Sequence, residues 1–446
     1  MINRTAPSLN TEGGQIVETL VTNHLHCAER WCTARVGSSQ ITSAFQPIFC
    51  LSHQRPVGFE GLVRATNLAD GAAITPQQLF AQGKEPDEII LIDRLCRLIH
   101  TQNFQTFAPA ESWLFLNLSP HIILNAYSQG LFVTAELLKQ ANIPPQRVVI
   151  EILEKKIADE ALLAEAMAHY RAEGYLTAVD DFGAGQSNFD RIWRLQPDIV
   201  KLDRSIIANS AINPRARRVL PSLVSLIHEA GCLVLIEGIE TATEAMISMD
   251  SDVDLVQGYF FSHPKSDIQS LDGMGEKQVN FLSHEFSSHS NQDACRQLQA
   301  LENYLEPFLA VVQSTHDDSS LLDGCDRLLQ QPGIVCCFIL DGTGRQIGDN
   351  KMPGSQTVWP TGKYAHLAGF AGADWSRRSY FRRAVTRPGE VQVTGPYLSL
   401  PDARMSITLS VAMRWQDGNI RVLCADLEWS GGANIITGAA GNSGHS

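Results

Sequence analysis

The sequence predicts an α/β fold in which a TIM-type (β/α) barrel is followed by a helical connector and a smaller α+β domain. Three observations support this prediction. Short apolar strands alternate with helical stretches, several of these strands end in a polar residue, and both patterns stop after His263-Pro264. The length of 446 residues is sufficient for two or three domains.

Two predicted strands, 44–50 and 56–64, open the repeat, and a helical stretch covers 76–101. The strands that follow are continuous apolar runs, as expected for a parallel sheet covered by helices. These strands lie at 113–118, 147–153, 176–182, 198–203, 233–239 and 255–261, with helices between them such as 156–173 and 215–230. A barrel and an open doubly wound sheet both fit this alternation.

The position of the polar residues favours the barrel. Each of the last six strands carries a polar residue at or near its C-terminal end. In a barrel these ends converge on one face, where the active sites of such folds are assembled, and six independent solvated ends would be a poor explanation. The residues are Asn117, Glu151, Asp180 with Asp181, Lys201, Glu237 and Gln257.

The stretch 176–185, LTAVDDFGAG, delivers two adjacent carboxylates into a glycine-flanked turn. Side chains alternate between the faces of a strand, so Asp180 and Asp181 can serve one site only where the strand ends. Gly183 and Gly185 are predicted to form the turn. Taken alone, the stretch is equally compatible with an exposed Asp-Asp-Gly turn.

The polar strand ends, together with Glu60 from strand 56–64, form a ligand set of oxygen donors without Cys or His. Hard oxygen donors select Mg²⁺ or Mn²⁺ over zinc. The carboxylates exceed the needs of one ion, which predicts two ions about 4 Å apart that clamp a phosphodiester for hydrolysis. The predicted ligands are Glu60, Asn117, Glu151, Asp180, Asp181 and Glu237.

Two basic residues complete this predicted site. Lys201 is expected to orient the attacking water or to offset charge on the phosphate. A structural salt bridge to one of the carboxylates is the alternative role for this lysine. Arg64 is suited to grip a phosphate with its planar guanidinium.

Eight motifs, FQPI, EGLVR, NLS, EILE, DDFGAG, KLD, IEGIE and QGYFFSHP, occur in this order over about residues 40–265. In this order they closely resemble the EAL-domain cyclic di-GMP phosphodiesterases. The resemblance implies hydrolysis of cyclic di-GMP to linear pGpG, with two Mg²⁺ or Mn²⁺ ions held by the six ligands named above. It implies catalytic roles for Lys201, Glu237 and Glu60. It also implies that Gln257 supports the site, that Gln46, Leu62 and Arg64 contact the dinucleotide, and that Glu154 braces the DDFG loop.

The chain departs from the family pattern at one loop. Members commonly read DDFGTGYSSL where this chain reads DDFGAGQSNF, with Gln186 in the aromatic position and Asn188 in place of Ser. In the family this loop is thought to couple dimerisation to metal binding, so the resemblance implies a homodimer and the change concerns regulation or rate. A non-hydrolysing receptor that binds the dinucleotide and signals through a partner is the alternative. A milder departure is Gly61, which stands where the family motif has Ala.

Beyond the barrel, a small antiparallel domain is predicted. Strands are expected at 333–347, as a hairpin, and at 405–415 and 420–428, joined by the Asp417-Gly418 turn. The patterns DWSRRSYFRRAV and VTGPYLSLPDARMSITLSVAM, followed by Asp426, resemble Cache-type, PAS-like sensor domains. The resemblance implies an unknown small-molecule ligand near Arg378, Tyr380 and Asp426; a dimerisation module with an empty pocket is the alternative.

The predicted domain boundaries follow from these patterns. They are an N-terminal lead-in over 1–38, the barrel over 39–265, the helical connector over 266–319, the PAS-like domain over 320–430 and a disordered tail over 431–446.

Composition and charge limit the partners and the cellular location that fit this chain. The net charge of −13 argues against a nucleic acid polymer as partner. No apolar run approaches ~20 residues and the N-terminus lacks the order of a signal peptide, so a cytoplasmic protein without membrane contact is expected. The ten scattered cysteines do not resemble a disulfide framework.

One cluster in the lead-in, with His24, His26, Cys27 and Cys32 in the run HLHCAERWC, could be a metal or redox site. Its spacing is not that of a zinc knuckle, and an amphipathic helix is predicted there instead.

Overall fold

The computed structural model describes residues 12–28, 31–109, 111–130, 132–153, 159–185, 189–266, 268, 275–354, 369–398, 405–415 and 418–428. The chain divides into two compact units, one ending at Ser287 and the other beginning at Ser288.

The strands of the first unit form one sheet. They are β1 Leu25–Ala28, β2 Trp31–Val36, β3 Ser39–Cys50, β4 Arg55–Asn67, β5 Ala73–Ile74, β6 Trp113–Asn117, β7 Val148–Leu153, β8 Leu176–Phe182, β9 Ile199–Leu202, β10 Leu233–Ile236 and β11 Leu255–Val256. The helices are α1 Glu12–His24, α2 Pro76–Phe80, α3 Pro86–Phe107, α4 Pro120–Gln129, α5 Val133–Gln140, α6 Glu160–Ala172, α7 Phe189–Leu195, α8 Arg204–Ile212, α9 Pro214–Glu229 and α10 Ala242–Asp250, and the long helix α11 spans Glu276–Ser314.

Eight strands close into the predicted barrel in the order β3-β4-β6-β7-β8-β9-β10-β11, and β11 pairs back onto β3. From β4 to β11 these barrel strands run parallel, whereas β3 is antiparallel to both of its neighbours in the barrel. The short connection between β3 and β4 explains this exception, because a parallel pair needs a much longer crossover.

Three element predictions need correction, and one of them is strand 233–239, which ends at Ile236. The last barrel strand is only Leu255–Val256 rather than 255–261. Gln257 still donates its backbone N–H to Ile236 of β10, and its carbonyl accepts from Ile239 in the loop that follows β10. The predicted helix over 76–101 is two helices, since Pro86 begins α3 behind a capping box at Glu85.

The predicted helix over the histidine and cysteine cluster is wrong beyond His24, where α1 ends. Residues after His24 form the antiparallel pair β1–β2, which extends the barrel sheet through β3. Cys27 lies directly opposite Cys32, and the two are joined by a disulfide, contrary to the expectation drawn from the scattered cysteines. Burial alternates in β2, where Cys32 and Ala34 are buried, so the strand follows a two-residue period.

The second unit has the predicted α+β composition. Its sheet is antiparallel with the order β13-β12-β16-β15-β14. The elements are α12 Asp318–Leu328, β12 Ile334–Asp341, β13 Gln346–Lys351, α13 Ser379–Thr386, β14 Gln392–Leu398, β15 Met405–Arg414 and β16 Ile420–Glu428. Strand β14 was not predicted, because an irregularity between Thr394 and Tyr397 interrupts its alternation.

Both faces of this second sheet are covered. One face carries Cys337 and packs against Phe308 of α11 and Leu321 of α12. The other face carries Cys336 and packs against Phe381 of α13. Among the described residues of the whole chain, no helix has the length and apolar character needed to cross a membrane.

Candidate metal centre at the carboxyl end of the barrel

The barrel interior explains why the polar strand ends share one site. Seven apolar side chains fill the interior, one each from β3, β6, β7, β8, β9, β10 and β11. In every parallel strand of this set the predicted site residue stands two positions further along, and therefore on the same inward face. The pairs are Phe115 with Asn117, Val149 with Glu151, Ala178 with Asp180, Ile199 with Lys201, Leu235 with Glu237 and Leu255 with Gln257.

Lys201 lies at the centre of the carboxylate cluster. Its ammonium Nζ is 2.6 Å from Glu151 Oε1, 3.1 Å from Asp180 Oδ1 and 3.9 Å from Glu60 Oε2, and it also contacts Glu237 Oε1. The Lys201 side chain is 1% exposed and that of Glu151 is 0% exposed. The ion pairs considered as an alternative role for Lys201 are thus present, with four carboxylates rather than one.

Glu60 is oriented by two side-chain amides. Asn117 Nδ2 donates a hydrogen bond of 2.7 Å to Glu60 Oε1, and Gln257 Nε2 donates one of 2.8 Å to Glu60 Oε2. Charge-assisted hydrogen bonds of this kind fix both the position and the rotation of a carboxylate. Gln257 is thus joined to the cluster through Glu60.

The adjacent aspartates converge through the backbone of Asp181, which has a φ of +58°. This left-handed residue accompanies a shift in the pairing of β8 with β9 between Val179 and Phe182. The two aspartates were predicted to serve one site only where the strand ends, but β8 continues through both of them to Phe182, and the local irregularity at Asp181 lets their carboxylates come together. Gly183 follows with a φ of +101°, and a side chain there would collide with Ile206.

Burial makes the charge balance of the cluster unfavourable. Desolvation raises the pKa of Glu151 and of Glu237, and nearby carboxylates raise them further while Lys201 opposes the shift. Burial by itself would lower the pKa of Lys201, but Asp180, Glu151, Glu237 and Glu60 together raise it, so this lysine stays charged. Proton uptake by a buried carboxyl, or a bound cation, relieves the excess negative charge.

The donor set fits divalent cations. Ligand oxygens of Asp180, Asp181 and Glu237 all lie within 4.8 Å of one another. In the described part of the chain, the buried Glu151 Oε2 has no hydrogen-bond partner. If Glu60 and Glu151 are counted too, five carboxylates face one ammonium, and two divalent ions would neutralise the four excess charges. Hard ions such as Mg²⁺ and Mn²⁺ prefer such oxygen donors.

The predicted substrate contacts lie beside this cluster. Gln46 of β3 is paired directly with Glu60 of β4, and Gln46 Nε2 donates to the backbone oxygen of Ser262 at 3.3 Å. Leu62 and Arg64 follow Glu60 at two-residue steps on the same face of β4. Arg64 is exposed. Three other residues of the sequence analysis, Glu154, Gln186 and Asn188, lie outside the described residues.

The family model for the EAL domain matches residues 30–264, which is more than half of the chain. The chain belongs to the EAL domain family. The match covers the barrel strands and every residue of the carboxylate cluster.

Among its relatives, the chain is similar to the uncharacterized EAL-domain containing protein YkuI of Bacillus subtilis. The two are 26% identical over 355 residues, 77% of this chain and 83% of that protein. A crystal structure of YkuI in complex with substrate c-di-GMP and calcium has a TM-score of 0.72 with this chain at 23% identity. It covers 88% of this chain and 97% of YkuI, so the likeness in fold extends beyond the EAL domain.

A second relative is the cyclic di-GMP phosphodiesterase RocR of Pseudomonas aeruginosa, which is 32% identical over 137 residues. That match covers 30% of this chain and 35% of RocR. The chain therefore spans about a third of that enzyme.

The second unit brings the three predicted sensor residues around Tyr397. The Tyr397 hydroxyl is 3.0 Å from both carboxylate oxygens of the buried Asp426. The Arg378 guanidinium lies 5.6 Å from the centre of the Tyr397 ring, and the ring of Tyr380 is 6.2 Å from it. Thr408 also donates to Asp426, at 2.7 Å.

Sequence reasoning missed several residues near these sites. Thr408 is paired directly with Asp426 across β15 and β16, whereas Tyr397 lies on β14, one strand further along the sheet, and reaches Asp426 across β15. Neither residue was singled out from the sequence. At the barrel end, Arg204 pairs with Glu240. The sequence did offer a signal for this pair, because Arg204 directly follows the KLD motif and Glu240 is the last residue of the IEGIE motif.

Proposed function

We propose that the chain hydrolyses cyclic di-GMP to linear pGpG and that two Mg²⁺ or Mn²⁺ ions serve the reaction. The observation that carries this proposal is the buried cluster in which Lys201 faces four carboxylates at the carboxyl end of an EAL barrel. The relative RocR is a cyclic di-GMP phosphodiesterase, and YkuI has been crystallised with c-di-GMP. Both support cyclic di-GMP as the substrate that we propose.

The ligands for the ions would be Glu60, Asn117, Glu151, Asp180, Asp181 and Glu237. Bound there, two divalent ions would supply Lewis acidity to the phosphodiester and lower the pKa of the attacking water.

The protein side chains contribute orientation and charge. Asn117 and Gln257 hold Glu60 in one rotamer, so that its carboxylate need not reorganise when the substrate binds. Lys201 is anchored by carboxylates and remains protonated, which lets it orient a water or stabilise negative charge on a phosphate oxygen. We assign catalytic roles to Lys201, Glu237 and Glu60.

Substrate recognition would fall to residues at the edge of the cluster. Gln46, Leu62 and Arg64 share the face of the β3–β4 hairpin that carries Glu60. The exposed Arg64 offers a guanidinium to a phosphate of the dinucleotide, and Leu62 offers an apolar contact to a base.

Variants with matched controls test this proposal. Glu60→Ala and Asp180→Asn each remove a proposed metal ligand and should abolish the formation of pGpG, measured by chromatography. Glu111→Gln is the control, because this exposed carboxylate lies before β6, at the opposite end of the barrel strands. Full turnover in Glu60→Ala would contradict the ligand assignment. Dinucleotide binding without cleavage in the wild-type chain would favour the receptor.

We also propose that the second unit regulates the barrel by binding a small molecule near Arg378, Tyr380 and Asp426. The stacking of Arg378 on the Tyr397 ring and the buried carboxylate of Asp426 support a site for a polar ligand. Arg378→Ala should change the rate of hydrolysis or the oligomeric state, which we propose to be a homodimer. Unchanged rate and unchanged mass by light scattering would leave both proposals without support.

A further inference from the structure

The loop that carries Glu237 is anchored on both sides of Gly238. The Glu237 backbone N–H donates to Leu202 of β9 at 3.1 Å. On the other side, the Glu240 backbone N–H donates to the side chain of Glu244 in α10 at 2.8 Å. Gly238 between them adopts a φ of +65°, a conformation that favours glycine. The position of the Glu237 carboxylate thus depends on how this glycine is held.

Arg204 covers Gly238. A Cβ atom built on Gly238 would lie 2.6 Å from Arg204 Cβ, 2.7 Å from Cγ and 2.9 Å from Cδ. The aliphatic stem of the arginine therefore occupies the space that a side chain on Gly238 would need. Stems of long cationic side chains commonly pack in this way while the charged group remains near solvent.

The guanidinium of Arg204 then binds the same loop a second time. Arg204 Nη2 lies 2.6 Å from Glu240 Oε2. Arg204 begins α8 three residues after Lys201, and Glu240 stands three residues after Glu237. Lys201 and Glu237 also contact each other in the cluster. The ion pair of Arg204 with Glu240 is therefore a second link between the same two stretches of chain, three residues further along each.

We propose that Arg204 is a positioning residue for Glu237, acting through its stem on Gly238 and its ion pair with Glu240. This inference rests on the proposed function in one respect, namely that Glu237 binds a metal ion. The Arg204 and Glu240 side chains are 54% and 37% exposed. Ion pairs this exposed add little to stability, so the effect belongs to metal affinity and turnover rather than to unfolding.

The test compares the full chain with Arg204→Ala, Arg204→Met, Arg204→Lys and Glu240→Gln. Mn²⁺ affinity is measured by calorimetry, and kcat and KM for cyclic di-GMP are measured at saturating Mn²⁺. The matched control is Arg217→Ala, because Arg217 pairs with Asp250 at 3.3 Å with exposures of 53% and 46%. Thermal unfolding in EDTA checks that every variant is folded.

We expect Mn²⁺ affinity to fall by about tenfold in Arg204→Ala and Glu240→Gln, the lower end of the range for residues that orient metal ligands. Arg204→Met keeps the aliphatic stem, so its Mn²⁺ affinity should lie between those of Arg204→Ala and the wild type. Arg204→Lys should retain most of the wild-type Mn²⁺ affinity. The control Arg217→Ala should bind Mn²⁺ as the wild type does.

Wild-type Mn²⁺ affinity in Arg204→Ala would overturn the positioning role, as would an equal loss in Arg217→Ala. A wild-type chain that binds Mn²⁺ but does not cleave cyclic di-GMP would contradict the proposed function instead. In that case the affinity comparison still decides the role of Arg204.

Discussion

Lys201 Nζ lies 2.6 Å from Glu151 Oε1, and both side chains are withdrawn from solvent. A buried ion pair of this kind contributes little compared with an apolar pair, but removing one partner leaves an uncompensated charge. Lys201 therefore supplies the positive charge with which these buried carboxylates are paired.

Lys201→Met should destabilise the metal-free protein by about 3–5 kcal/mol, because Glu151 and its neighbours lose their cation. Added Mn²⁺ should recover part of this loss, since the ions replace the missing charge. Chemical denaturation with EDTA and with Mn²⁺ measures both effects. Wild-type stability of Lys201→Met in EDTA would show that the cluster does not depend on this ion pair.

The gain in stability from Mn²⁺ should grow as the pH rises. The pKa values of Glu151 and Glu237 are raised in the folded state, mainly by burial. In the metal-free protein, the stability that depends on protonated Glu151 and Glu237 is fully present below the ordinary glutamate pKa. It is lost as the pH rises through their raised pKa values, because the folded state must then hold buried charges. Bound Mn²⁺ offsets that loss by replacing the protons.

Melting temperatures with and without Mn²⁺, compared at mildly acidic and mildly alkaline pH, measure this trend. Glu111→Gln should show the same trend as the wild type, because Glu111 is exposed. A Mn²⁺ shift that shrinks towards alkaline pH would contradict the pKa directions assigned to the two glutamates.

Gly61, in the EAL motif position that reads Glu60-Gly61-Leu62, is packed against a buried histidine. A Cβ atom at Gly61 would lie 3.0 Å from His100 Cγ and 3.2 Å from two further His100 atoms. The ring is held by a contact of 2.8 Å between His100 Nδ1 and Ser43 Oγ, so it has little freedom to retreat. Gly61→Ala should destabilise the protein by about 1–3 kcal/mol.

The control for this substitution is Gly14→Ala in helix α1, where the nearest atom to the new methyl would be Glu136 Oε1, 3.8 Å away. That change should stabilise the protein by up to about 1 kcal/mol. In a His100→Ala background, the cost of Gly61→Ala should largely disappear. Equal costs in both backgrounds would mean that His100 is not the obstacle.

The Cys27–Cys32 disulfide should stabilise the N-terminal hairpin. Closing this short loop corresponds to about 2 kcal/mol in the chain-entropy description. Reduction, or Cys27→Ser, should lower the free energy of unfolding by up to that amount, whereas Cys50→Ser should leave the effect of a reductant unchanged, since Cys50 is a free thiol. Intact mass under non-reducing alkylation verifies the bond, and alkylation of both thiols would disprove it.

The barrel and its carboxylate cluster could be predicted because both follow from a two-residue period. Each site residue stands two positions beyond an interior apolar side chain, so the strand sequence itself places Glu151 and Lys201 on one face. What could not be predicted depends on pairings between distant segments. The ion pair of Arg204 with Glu240 and the contact of Gly61 with His100 join residues that are 36 and 39 positions apart.

The N-terminal hairpin was missed for a different reason. The polar and apolar residues of the run HLHCAERWC fit either a helix or a strand. The run is too short for its periodicity to distinguish the two. Pairing of β2 with β3 selects the strand, because Ala34 aligns with Ile41 in the sheet.

The most direct measurement is the conversion of cyclic di-GMP by the purified full chain, followed by chromatography with Mn²⁺, with Mg²⁺ and with EDTA. Our account predicts linear pGpG in the presence of either metal and none in EDTA, with about two Mn²⁺ ions bound per chain. Product formation in EDTA, or intact dinucleotide after incubation with a chain that has bound both Mn²⁺ and cyclic di-GMP, would contradict it.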